Sequence, residues 1–195
     1  METVKDPMMT EQLPAPTRKV HPQKFAMWFA LGSIMLMFAG FTSGYLVRRG
    51  QGMWEQFEMP QIFTVSTGVI LVSSLTYFLG LKSFKKKNWG AYNGLMLLTL
   101  ALGITFMVLQ YLGFKDMYAH NIRINGNVSN SFFYVIAGAH LAHILGGVIA
   151  LIVVLIKNRF FNPQKTAVGL EIFGAYWHFI DILWLYLYVF LLMYR

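Results

Sequence analysis

Residues 176–195 read YWHFIDILWLYLYVFLLMYR, and this stretch decides the class of the fold. Almost every side chain in it is aliphatic or aromatic, yet His178 and Asp181 stand three residues apart near its start. An apolar run of about 20 residues is long enough to cross the roughly 30 Å hydrocarbon core of a membrane as a helix. The stretch therefore predicts a membrane-spanning helix that keeps two ionisable side chains on one side.

Four further apolar segments precede this one. The five predicted spans cover about residues 25–47, 61–81, 91–113, 131–156 and 171–194. None shows the alternating pattern of a membrane β-strand, whereas a helix satisfies its own backbone hydrogen bonds in lipid. The sequence thus predicts an all-α membrane protein: a bundle of five transmembrane helices forming one domain, residues 25–195, after a flexible tail of residues 1–24.

The charged residues predict the orientation of the chain. It carries 16 Lys and Arg against 8 Asp and Glu. With the tail and the loops 82–90 and 157–170 on one side, 11 basic residues lie there and 5 on the other. The excess of basic residues on cytoplasmic loops places the N-terminus in the cytoplasm and the C-terminus outside. Because topology accounts for the net charge of +8, no nucleic-acid partner is expected. The absence of cysteine excludes disulfides and thiolate-ligated metals.

Ionisable side chains concentrate in the last two spans. His140 and His143 are three residues apart in the fourth span, and Glu171, His178 and Asp181 share a face of the fifth. These two spans are antiparallel neighbours joined by a short loop. We therefore expect the five residues to form a buried structural polar network in which His178 and Asp181 face the fourth span.

Two other residues are candidates for contacts between helices: Gln110, the one strongly polar side chain of the third span, and Gly147, which could admit a neighbouring helix. Ionisable groups at membrane depth cost several kcal/mol unless they are paired. The residues alone leave three interpretations of the network open: a structural clamp, a metal or haem site, and a proton path. The metal site would belong to a stand-alone membrane metalloenzyme that uses the three histidines and Asp181 as ligands.

The segments GAHLAH at 138–143 and YWHFIDILWL at 176–185 resemble subunit III of haem–copper cytochrome c oxidases. In that family a G-x-H-x-x-H helix precedes a W-H-F-x-D-x-x-W run, with a glutamate seven residues before the histidine of that run. Glu171 stands at that place. Weaker matches extend the resemblance over about residues 25–195: Met27-Trp28, Ala39-Gly40, Ser73-Ser74 and Gln110. Larger members have seven spans, so the chain resembles a short five-helix form.

The resemblance implies a non-catalytic subunit of a proton-pumping aerobic terminal oxidase in a bacterial inner membrane. Such a subunit stabilises the catalytic subunit I and its lipid and proton-uptake environment. It implies no catalytic residue, metal or cofactor in this chain, since haem and copper belong to subunits I and II. The implied partners are subunits I and II, other respiratory-complex subunits and membrane lipids. An accessory subunit of a related quinol oxidase or nitric oxide reductase is the alternative within the same family.

The chain departs from the family pattern at two positions. The family usually has an acidic residue after a serine in the span that corresponds to 25–47, and here Ile34 follows Ser33. A glutamate usually follows the glutamine of the third predicted span by three residues, and here that position is Gly113. The sequence therefore leaves open whether this chain keeps the roles that these carboxylates have in relatives, such as assisting proton delivery.

Overall fold

The computed structural model describes residues 22–52, 54, 58–160 and 167–194. These residues form five helices and no strand: α1 (Pro22–Gly50), α2 (Ile62–Lys85), α3 (Trp89–Ala119), α4 (Val128–Phe160) and α5 (Ala167–Tyr194). Each helix is long and apolar enough to cross a membrane. The predicted all-α fold with five transmembrane helices is therefore confirmed for this part of the chain.

The helices extend past the predicted apolar spans. α1 begins at Pro22, inside the predicted tail, of which residues 1–21 lie outside the described residues. α3 continues to Ala119, six residues beyond the predicted end, and includes Lys115 and Asp116. Hydropathy marks only the part of a helix that lies in hydrocarbon. Polar residues with adequate helix propensity can continue the same helix beyond that part.

The helices α2 and α3 form the most extensively packed pair. Their connection is short because Lys87 adopts a left-handed backbone conformation, with φ of 58°, directly after α2. Asn88 then caps α3, since its Oδ1 accepts a hydrogen bond of 3.2 Å from the backbone nitrogen of Ala91. This tight turn sets α2 and α3 side by side as an antiparallel hairpin.

The helix α5 packs against α2 and α4. The indole ring of Trp177 on α5 fills a notch between α3 and α4. The notch exists because Gly103 of α3 and Gly147 of α4 have no side chains. A β-carbon would lie 3.0 Å from the indole at Gly103 and 2.9 Å from it at Gly147. Small residues at these positions let the Trp177 ring of α5 pack directly against the backbones of α3 and α4.

The helix α1 lies at the periphery of the bundle. It packs against α4 and α5, and in the described parts of the chain it makes no contact with α2. Its outer face is highly exposed, with Trp28 68% and Leu36 75% accessible. Because α1 and α2 do not meet, a side of α5 stays uncovered, including Ile182 and Val189.

Candidate functional site in the polar core of the bundle

His140 lies at the point where four helices meet. Its side chain is fully buried on α4. The rings of Phe38 on α1, Phe106 on α3 and Trp184 on α5 surround it, with centroid distances of 6.4, 6.0 and 4.9 Å. Neither ring nitrogen has a hydrogen-bond partner among the described residues. His140 therefore contributes to the core as an aromatic ring that packs against other rings.

Asp181 is the buried carboxyl of the bundle, with 1% of its surface accessible. Within the described ranges no cationic side chain pairs with it, and neither of its oxygens makes a hydrogen bond of good geometry. The hydroxyl of Ser74 on α2 lies beside the carboxyl. Asp181 is thus a carboxyl that is buried in the bundle without a cationic partner among the described residues.

His178 is half-buried and belongs to the contact between α5 and α2. Its Nδ1 lies 2.6 Å from the hydroxyl oxygen of Ser74, and its ring meets Tyr77 edge-on at 5.7 Å between centroids. The prediction that His178 faces the fourth helix is therefore wrong. The helix α4, which precedes α5 in the sequence, packs on another side of α5. The sequence alone did not show that α2 also packs on α5.

A tyrosine of α5 forms a hydrogen bond with the backbone of α4. The Tyr176 hydroxyl donates a hydrogen bond of 2.8 Å to the backbone carbonyl oxygen of His143. The imidazole of His143 is half-buried, and its Nδ1 donates to the carbonyl oxygen of Ala139, 2.7 Å away on the same helix. His143 is thus satisfied within α4 and does not pair with a carboxylate of α5.

Glu171 lies near the start of α5, where it is exposed rather than buried. Its Oε2 is 2.7 Å from the Nζ of Lys24 on α1, and both side chains are about 40% accessible. The ion pair links the first turns of the two helices. The predicted network therefore separates into distinct contacts, because no hydrogen bond joins any two of its five residues in the described structure.

Hydroxyl groups of α2 bond to α3 along one stripe of the helix. Ser66 accepts a hydrogen bond of 3.0 Å from the side-chain nitrogen of Gln110. Seven residues later, Ser73 donates to the carbonyl oxygen of Thr99 at 3.3 Å. A spacing of seven residues places both serines on the same face of α2. Gln110 thus makes the contact between helices for which it was a candidate.

A second stripe of α2 bonds to α5 in the same manner. Thr67 accepts a hydrogen bond of 2.9 Å from the indole nitrogen of Trp184, and Ser74, again seven residues later, bonds to His178. Sequence reasoning missed Ser74 and Thr67 as partners of the last helix. Their spacing of seven is a signal that could have identified them, although it does not say which helix they face.

These contacts do not form a metal site. In the part of the chain that the structure describes, no three His, Asp or Glu side chains stand close enough to hold a metal ion. Of the proposed ligands, His178 bonds to Ser74 and His143 bonds to a backbone carbonyl. His140 packs among aromatic rings, and Asp181 lies beside the same serine as His178. What the arrangement provides is the mutual positioning of α2, α4 and α5.

Comparison with known proteins identifies the family of this chain. The family described as cytochrome c oxidase subunit III matches residues 49–195. The subunit 3 of Bacillus subtilis cytochrome c oxidase is 29% identical over 198 residues, which cover 95% of this chain and 94% of that protein. The corresponding protein of Alkalihalophilus pseudofirmus is 30% identical over 168 residues, covering 83% and 81% of the two chains. That of Corynebacterium diphtheriae is 29% identical over 170 residues, covering 82% of each. The chain belongs to the cytochrome c oxidase subunit III family.

Proposed function

We propose that this chain, a non-catalytic subunit III of an aerobic terminal oxidase, stabilises the catalytic subunit I together with its lipid and proton-uptake environment. Membership of the subunit III family is the observation that carries the proposal. The bacterial relatives and the five apolar helices identify a multi-pass protein of the bacterial plasma membrane. Oxygen reduction to water and proton pumping are then properties of the whole complex.

The polar side chains of the bundle support a role in assembly rather than in chemistry. Those with identified partners tie one helix to another or bond within their own helix, as in the contacts of Thr67, Ser74 and Tyr176. The haem and copper that oxygen reduction needs are expected in subunits I and II. We propose that this subunit contributes a rigid surface, with subunits I and II and membrane lipids as its partners.

The proposed orientation places the N-terminus in the cytoplasm and the C-terminus outside. It is supported by the basic cluster at the end of α2 and in the turn that follows, Lys82, Lys85, Lys86 and Lys87. Such clusters stay on the cytoplasmic side during insertion. In this orientation Glu171 and Lys24 lie at the cytoplasmic ends of α5 and α1, and Tyr194 lies at the outer end of α5.

Deleting this chain from the oxidase tests the proposal. We expect the remaining complex to keep its haem spectrum but to lose activity or lifetime under turnover, and re-expression of the chain to restore both. An enzyme that is equally active and equally long-lived without the chain would contradict the proposal. The same preparations, assayed with reduced cytochrome c and with a quinol, would show which electron donor the complex uses.

Purification through a tag on this chain provides a second test. Haem absorbance in the reduced-minus-oxidised spectrum is expected to co-purify with the chain in mild detergent and to leave with the partner subunits when these are stripped. Haem or metal that stays with the isolated chain would instead support the metalloenzyme hypothesis. His140→Ala would then be the variant that removes it.

A further inference from the structure

One side of α5 remains open along the whole bundle. The flanking helices α1 and α2 both pack on α5 but do not contact each other in the described parts of the chain. The open side carries a stripe of residues at intervals of seven, which a helix presents on one face: Glu171, His178, Leu185 and Leu192. Leu185 and Leu192 are 39% and 42% accessible.

The open side is concave where α5 meets α1. One hollow lies between Trp28 and Ala175, near the ion pair that joins the starts of the two helices. A second lies between Met35 and Ile182, and a third, at the other end of the helices, is lined by Leu46 and residues up to Tyr194. The three hollows follow one another along the line where α1 and α5 meet.

Apart from Glu171 near the start of α5, His178 also places a polar atom on this side. It is the twelfth of the 28 residues of α5, so it lies about 17 Å from one end of the helix and about 24 Å from the other at 1.5 Å per residue. Its Nδ1 is bonded to Ser74, and its Nε2 has no partner among the described residues. Acyl chains offer no hydrogen-bonding group, so lipid at this depth would leave Nε2 unsatisfied.

We propose that the side of α5 between α1 and α2 binds a transmembrane helix of a neighbouring oxidase subunit, which presents a hydrogen-bonding side chain to Nε2 of His178. The inference rests on the proposed function and specifies one docking surface. A helix fits this surface because it supplies a polar group at mid-depth together with apolar side chains above and below. The interval of seven between Leu185 and Leu192 suits packing of two helices along their length.

Photo-crosslinking in the assembled oxidase tests where the partner lies. A photo-reactive amino acid is placed at position 185, and in a matched variant at position 149, where Ile149 of α4 is also exposed. Mass spectrometry then identifies each adduct. We expect position 185 to yield a peptide of another oxidase subunit. An adduct with lipid only, an adduct with a second copy of this chain, or equal yields of the same peptide at both positions would overturn the proposal.

Substitution of His178 tests the polar contact. His178→Leu removes the hydrogen-bonding atoms, and His178→Gln keeps a polar side chain at the same place. Hydrogen bonds between membrane helices suggest that His178→Leu weakens retention of this chain on the oxidase by about three-fold to about twenty-fold. His178→Gln is expected to retain most of the association. Unchanged retention of a correctly folded His178→Leu chain during detergent washing would contradict the proposed contact.

The two hypotheses fail in different ways in these experiments. If the wild-type chain did not co-purify with haem absorbance, the proposed function and the docking surface would both be wrong. If the chain co-purified but position 185 reacted only with lipid, the proposed function would stand and the docking surface alone would be wrong. Circular dichroism of each purified variant would confirm that it has folded before the comparison is made.

Discussion

The indole nitrogen of Trp184 on α5 donates a hydrogen bond of 2.9 Å to the hydroxyl of Thr67 on α2. The same indole lies against His140 of α4, with 4.9 Å between the ring centroids. Three helices are therefore joined at one level of the bundle through a single side chain. Because Trp184 satisfies its polar atom on α2, its ring is free to pack on the buried histidine.

Replacing Thr67 with valine should weaken this junction. Thr67→Val keeps the side-chain shape but leaves the indole nitrogen of Trp184 buried without an acceptor, which costs about 1 kcal/mol or somewhat more. Thr105→Val is the matched control, because the hydroxyl of Thr105 is exposed and bonds within α3 to the carbonyl oxygen of Ala101. Thermal unfolding in mild detergent should show a lower midpoint for Thr67→Val only. Equal midpoints for the two variants would show that the bond to Trp184 contributes nothing measurable.

Gly113 of α3 lies too close to α2 for a larger residue to fit without movement. A β-carbon at this position of α3 would lie 2.7 Å from the buried ring of Phe63 on α2. Overpacking of this kind costs about 1–3 kcal/mol, which should exceed the gain of about 1 kcal/mol from replacing a helical glycine. We therefore expect Gly113→Ala to lower the midpoint of thermal unfolding.

The matched control is Gly94→Ala in the same helix, because a β-carbon there meets no atom within 4 Å. This variant should be neutral or more stable than the wild type. If Gly113→Ala proved as stable as Gly94→Ala, the close contact of Gly113 with Phe63 would not limit the size of the side chain at this position.

The ion pair of Lys24 and Glu171 should anchor the start of α1. The contact is half-exposed, so its loss through Glu171→Gln should cost at most about 1 kcal/mol of global stability. The local effect should be larger, because the outer face of α1 is poorly covered. Hydrogen exchange should therefore become faster in the first turns of α1, around residues 24–30, and remain unchanged in α3. The charge-swapped double variant Lys24→Glu with Glu171→Lys should restore slow exchange, and failure to do so would argue against the ion pair as the anchor.

The five spans could be predicted because their signal is local. A run of apolar residues identifies a transmembrane helix without knowledge of its neighbours. The close approach at Gly147 was also open to prediction, since small residues commonly mark contacts between membrane helices. Both predictions need only the sequence of the segment itself. The ends of the helices were not predicted where polar residues such as Lys115 extend α3 beyond its apolar part.

The partners of the polar residues could not be predicted because they depend on how the helices are arranged. Glu171, His178 and Asp181 were assigned to one face. In the structure Glu171 pairs with α1, whereas His178 and Asp181 both lie beside Ser74 of α2. Side chains three or four residues apart still differ in direction around the helix axis, and this difference is enough for one to be exposed and the other buried. Periodicity therefore indicated which residues are near each other on α5, and only the packing of the bundle determined which helix each one meets.

Asp181 provides a test that separates structural support from proton transfer. Since no cationic side chain in the described structure pairs with this buried carboxyl, an amide of the same size should replace it at little cost. Asp181→Asn is therefore expected to keep assembly, the haem spectrum and the number of protons pumped per oxygen at wild-type levels. Asp181→Ala, which also removes volume from the core, should loosen the association with the oxidase before it affects the chemistry. The measurement is proton release from reconstituted vesicles, beside the amount of this chain that remains bound. If Asp181→Asn assembled normally but abolished pumping, the carboxyl would take part in proton transfer and its structural interpretation would be wrong.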